Sequence, residues 1–104
     1  MNKEKLKKQI LEAIKQDPLS KGSIQKAFLF GSFLREAQSV DSDVDILIEL
    51  KSDVPVGLFT LARIQRELSR LTGRKIDLLT PQALSKFFRD EVLNEAELIY
   101  EEKG

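Results

Sequence analysis

Residues 43–50, DVDILIEL, constrain the fold of this chain more than any other stretch. Val44, Ile46, Ile48 and Leu50 alternate with Asp43, Asp45, Leu47 and Glu49. Successive side chains of a strand point to opposite faces, so one face is wholly apolar and must be covered by helices. The other face begins with two carboxylates. A strand of this kind belongs inside a layered α/β arrangement, with the acidic pair at one of its ends.

The flanking sequence supplies the other elements. Residues 3–16 read as a helix with an apolar stripe of Leu6, Ile10, Leu11 and Ile14 among lysines. Asp17-Pro18 stops it, and 20–23 is expected to be a loop. Residues 24–30 read as a strand whose second half is continuously apolar, which predicts an inner place in a sheet. Gly31 breaks this strand; 32–37 reads as a short helix and 38–42 as a polar loop. After a loop over 51–56 with Pro55, a long helix starts at Gly57. Its leucines and isoleucine, Leu58, Leu61, Ile64, Leu68 and Leu71, fall at steps of three and four. Gly73 is the candidate for its left-handed C-terminal position.

Residues 75–79 read as a short strand. Thr80-Pro81 looks like an N-cap followed by a first-turn proline, opening a last helix with Leu84, Phe87, Phe88 and Val92 on its buried side. Residues 97–100 are expected to form a short edge strand. The order α-β-α-β-α-β-α-β predicts an α/β (α+β) fold: a three- or four-stranded sheet backed by helices.

Composition narrows the chemistry. The chain has 104 residues, enough for one domain over 1–104. It has no cysteine and no histidine, which excludes disulfides, thiolate or imidazole metal sites and histidine general-base catalysis. Proton transfer and metal binding must therefore fall on carboxylates, hydroxyls, lysine or the single Tyr100. Formal net charge is zero, which argues against direct nucleic-acid binding as the main task. The charge is unevenly spread. Lys3, Lys5, Lys7, Lys8 and Lys15 dominate the start, and Asp90, Glu91, Glu95, Glu97, Glu101 and Glu102 dominate the end. These ends are either solvated helix faces or a surface for a charged partner. No apolar stretch approaches a membrane span and no signal-peptide core is seen, so a cytoplasmic location without membrane contact is expected.

Three places carry candidate chemistry. Asp43 and Asp45, two apart on a strand, present carboxylates on one face about 6–7 Å apart. Two such charges repel unless a cation lies between them, and Mg²⁺ suits hard oxygen ligands completed by water and phosphate. Gly31-Ser32 ends the preceding strand. If the two strands are antiparallel, it lies beside the aspartates, where a glycine allows close backbone approach and a helix start donates N–H groups to phosphate. Asp77 interrupts the apolar run Ile76, Leu78 and Leu79, and would add a third carboxylate if its strand lies alongside. Arg35 either reaches a phosphate or is an exposed short-helix arginine. Each piece alone is more often an ordinary turn or strand entry. Together they point to phosphoryl-group chemistry.

The pattern Gly31-Ser32, ten residues, Asp43-x-Asp45, then Asp77 resembles the signature of DNA polymerase β-like nucleotidyltransferases. Over nearly its whole length the chain resembles their minimal branch, the MNT proteins. The blocks FLFGSFLREAQSVDSDVDILIEL, GLFTLARIQRELSRLTGRKIDLLTP and VLNEAELIYEE carry the likeness. The resemblance implies a small mixed β-sheet flanked by helices. It implies two Mg²⁺ ions and ATP held at Asp43 and Asp45, with Asp77 completing a metal site and helping to activate the acceptor hydroxyl. Gly31 and Ser32 match positions that hold the triphosphate. It further implies transfer of AMP to a hydroxyl, a tyrosine of a HEPN-domain toxin, with the MNT protein as antitoxin. Phe33 stands where the family often has arginine, and Glu36 where it often has glycine; Arg35 is retained. The intact acidic positions favour an active enzyme. The alternative is a non-catalytic antitoxin that neutralises its toxin by occlusion.

Overall fold

Helix α1 (Lys3–Gln16) lays Leu6, Ile10, Ala13 and Ile14 against the sheet, the buried side of an i, i+3, i+4 stripe. This computed structural model describes residues 3–30, 44–51 and 57–102. α1 is followed by α2 (Pro18–Ser23), β1 (Ile24–Phe30), β2 (Val44–Leu50), α3 (Leu58–Thr72) and β3 (Ile76–Leu79). A single 3₁₀ turn over Pro81–Ala83 leads to α4 (Lys86–Glu95) and β4 (Glu97–Glu101). The short helix expected over 32–37 and the loop over 38–42 lie outside the described residues.

The four strands form one mixed sheet in the order β3-β2-β1-β4. β1 is antiparallel to both β2 and β4, whereas β2 and β3 are parallel and joined across α3. A parallel pair requires such a crossover. β1 and β2 are the inner strands, as their apolar character predicts, and β4 is an edge. β4 is held beyond its own limits by one backbone and one side-chain bond: Glu102 N–H donates to Gln25 O at 2.9 Å, and the Gln25 side chain donates through Nε2 to Glu102 O at 2.8 Å.

The main core lies on one face of the sheet, and Leu47 of β2 is buried on the other. Ile24, Ala27 and Leu29 of β1, Val44, Ile46 and Ile48 of β2, and Ile76 of β3 meet Ile64 and Leu68 of α3 and the stripe of α1. Each fully buried Leu or Ile side chain contributes about 1.5–3 kcal/mol relative to exposure. Gly73 ends α3 in the left-handed conformation, φ 70° and ψ 17°, with its N–H bonded to Ser69 O.

Four expectations are corrected. Residues 20–23 are not a loop: Asp17 caps α2, its Oδ2 accepting from Ser20 N at 3.2 Å and from Ser20 Oγ at 2.5 Å, and Pro18 supplies the first-turn φ. The proline that stops one helix therefore starts the next. Thr80 makes no side-chain cap bond, and Leu84 is extended, so the chain makes only a 3₁₀ turn there. α4 is capped instead by Ser85, whose Oγ accepts from Phe87 N at 3.4 Å. This shift turns Phe87 outward, 91% exposed, rather than into the core. Leu58, the first residue of the α3 stripe, is also outside the core at 83% exposure, because it precedes the part of the helix that crosses the sheet.

Candidate active site

Asp45 and Asp77 are direct register partners in the parallel β2–β3 pair. Their Cα atoms are therefore separated by about the inter-strand spacing, 4.8 Å. Val44 and Ile46 flank Asp45 and enter the core, and Ile76 and Leu78 flank Asp77 and pack on the core. Both carboxylates consequently project from the other face, the one without α1 and α3. Both are half-buried. The local sequence explains this arrangement: each aspartate occupies the out position of a strand whose in positions are aliphatic.

Phe30, at the end of β1, is the Cα partner of Asp45 on its other side. The antiparallel β1–β2 pairing required by the sequence argument is thus present. Gly31, Ser32, Arg35 and Asp43 lie outside the described residues, so the structure brings together Asp45 and Asp77 of the six expected site residues. Among the described residues, no group of three acidic side chains is poised for a metal ion.

β3 is fastened on its outer side by α3. Ile76 N–H donates to Ser69 Oγ at 3.1 Å, and Leu78 N–H donates to Gln65 Oε1 at 3.0 Å. These are the residues flanking Asp77. Gln65 and Ser69 were invisible to sequence reasoning, since a polar residue on the flank of an amphipathic helix reads as solvated. Their i, i+4 spacing is the sole sequence signal, and it has meaning only once β3 lies beside α3.

A groove of about 450 Å³ lies on the helix-covered side of the sheet, between α1 and the end of α3. It is lined by Lys8, Glu12, Gln16 and Leu71, among others, and holds no facing carboxylate pair. The acidic pair is the better candidate for chemistry.

The sequence profile of the family described as "Polymerase beta, Nucleotidyltransferase" matches residues 5–104. The chain belongs to this family and is a nucleotidyltransferase of its minimal type. It is 33% identical to a Methanocaldococcus jannaschii protein provisionally named protein adenylyltransferase MJ0435, over 92% of this chain and 96% of that one. It is 30% identical to the protein adenylyltransferase MntA of Thermococcus cleftensis, over 83% of this chain and 85% of that one. A solved structure described provisionally as a minimal nucleotidyltransferase superposes with a TM-score of 0.70 at 29% identity, covering 92% and 94% of the two chains. A complex of a tri-AMPylated Shewanella oneidensis HEPN toxin with its MNT antitoxin shares the fold. There the TM-score is 0.62 at 16% identity, with 94% of this chain and 72% of that one covered. No described helix is long and apolar enough to cross a membrane.

Proposed function

We propose that this chain, acting as a single catalytic domain in the cytoplasm, transfers AMP from ATP to a tyrosine hydroxyl of a HEPN-domain toxin and so serves as its antitoxin. The observation that carries the reading is the register pairing of Asp45 with Asp77 on the sheet face opposite α1 and α3. Adjacent carboxylates of like charge at this spacing repel each other, and a hard divalent cation relieves that repulsion. The donor set, carboxylate oxygens without thiolate or imidazole, suits Mg²⁺.

Asp43, Asp45 and Asp77 would hold two Mg²⁺ ions. Gly31, Ser32 and Arg35 would bind the triphosphate. When bound, the ions offset negative charge on the phosphates. Asp77 accepts the proton of the acceptor hydroxyl. The hydroxyl oxygen forms a bond to the α-phosphorus, the bond from that phosphorus to the β-phosphate oxygen breaks, and pyrophosphate leaves. The names of the MJ0435 and MntA relatives support protein as the acceptor, and the AMPylated toxin complex supports a HEPN toxin as that protein.

The test is incubation with α-labelled ATP, Mg²⁺ and a HEPN-domain toxin that binds this protein. Label is expected on a toxin tyrosine. Asp45→Asn and Asp77→Asn should each reduce transfer by at least about a hundredfold, the lower range for losing a general base, without lowering the melting temperature. Absence of label from a toxin that binds the protein would sink the proposal. Retained toxin neutralisation by both Asn variants would point to occlusion instead.

A further inference from the structure

α3 connects β2 to β3, and it also grips β3 at two points. Ser69 Oγ accepts from Ile76 N–H and Gln65 Oε1 accepts from Leu78 N–H. Four residues of helix rise about 6.0 Å. Two residues of parallel strand rise about 6.6 Å. The two spacings match, so one turn of α3 reaches successive outward amides of β3. Asp77 lies between those amides, and its register partner on the inner side is Asp45. The Ser69 hydroxyl donates its own proton to Gln65 O at 2.8 Å, which fixes its rotamer and leaves its lone pairs for Ile76.

We infer that Gln65 and Ser69 are positioning residues that hold the Asp77 carboxylate in register with Asp45. β3 has only four residues and, among the described residues, sits at the sheet edge with a strand partner on one side. A strand so short is free to fray, and fraying moves Asp77 relative to Asp45. The two side chains supply the missing outer pairing. They touch neither substrate nor metal, and act through the backbone on either side of Asp77. The inference rests on the reading of Asp77 as a metal-holding carboxylate.

The probe is Mn²⁺, with its binding to the nucleotide-free protein followed by electron paramagnetic resonance. Mg²⁺-dependent label transfer and amide exchange at Ile76 and Leu78 are measured alongside. Gln65→Met keeps side-chain length but removes the acceptor, and Gln65→Glu restores one. Ser69→Ala removes the hydroxyl, and Ser69→Thr restores it. Gln65→Met and Ser69→Ala should each weaken Mn²⁺ binding about tenfold, the scale seen when support behind a metal ligand is lost. The Mg²⁺ concentration for half-maximal transfer should rise in step, and the flanking amides should exchange faster. Gln65→Glu and Ser69→Thr should bind Mn²⁺ at least nearly as well as the unaltered protein.

Asp77→Asn distinguishes loss of the metal site itself from loss of its support. If it binds Mn²⁺ as tightly as the unaltered protein, the site reading fails and the inference falls with it. If Asp77→Asn loses Mn²⁺ while folded Gln65→Met and Ser69→Ala keep full affinity, the inference alone is overturned. If only one of these two folds, its result against the matching conservative variant decides. Failure of both to fold would make the grip purely structural and would also overturn it.

Discussion

Asp45 and Asp77 illustrate how much one residue's parity decides. Each occupies the out position of a strand whose neighbours are buried aliphatics. A one-residue slip of either strand would bury a carboxylate and expose an isoleucine. Gly73 is decisive for a different reason. Its φ of 70° is a conformation in which a Cβ meets the following carbonyl, and the space around it is otherwise open. Gly73→Ala should therefore cost about 1–2 kcal/mol through backbone strain alone. Urea unfolding would register this as a lower midpoint with an unchanged slope. An unaltered midpoint would mean that the turn relaxes.

At the level of elements, α3 and α4 are opposites. α3 buries Ile64 and Leu68 completely, grips β3 and hands the chain on through Thr72 and Gly73. α4 has no wholly buried residue among those described, and Phe87 in its first turn is almost fully exposed. Two substitutions of large apolar residues should thus differ sharply. Leu68→Ala should destabilise by about 2–5 kcal/mol, since it leaves a cavity between α3 and the sheet. Phe87→Ser should change stability by no more than about 0.5 kcal/mol. Thermal denaturation of the two variants side by side would check this, and equal losses would contradict the exposed placement of Phe87.

Across the whole molecule, the oppositely charged ends of the chain meet. Lys3 Nζ lies 2.6 Å and Lys7 Nζ 3.5 Å from the Glu97 carboxylate, tying α1 to β4. Lys51, after β2, pairs with Glu102 at 2.6 Å, and Lys26 with Glu101 at 3.6 Å. Part of the charge polarity seen in the sequence is therefore internal stitching rather than a solvated face or a partner surface. The Lys3 ammonium, with Lys7 behind it, holds the Glu97 carboxyl below its ordinary value near 4.5. A carboxyl lowered in the folded state stabilises above its unfolded pKa, and the benefit is lost as pH falls through the folded value. Replacement of Glu97 by Gln should cost about 0.5 kcal/mol at pH 7, the scale of a partly exposed ion pair. The difference should shrink as pH is lowered into the acid range where the native carboxyl, held below its ordinary value, protonates. Urea titrations at neutral and at acid pH would show it, and a penalty equal at both would assign the effect to packing.

The sequence by itself determined the strand interiors, the stripes of α1 and α3, the left-handed stop at Gly73 and the three candidate carboxylates. All of these are local: periodicity, turn chemistry and a polar residue out of place can be read without knowing what lies opposite. Local signals failed where two readings had the same composition. Asp17-Pro18 ends one helix and opens another, and Thr80-Pro81 carries the marks of a cap without making one. The tertiary structure alone decided register and neighbourhood. No spacing in the chain states that Asp77 falls opposite Asp45, that Gln65 and Ser69 reach the amides on either side of it, or that Lys3 meets Glu97. Those pairings join residues from 7 to 94 positions apart, and they follow from which strands lie side by side, a choice made by the burial of one whole face of the sheet.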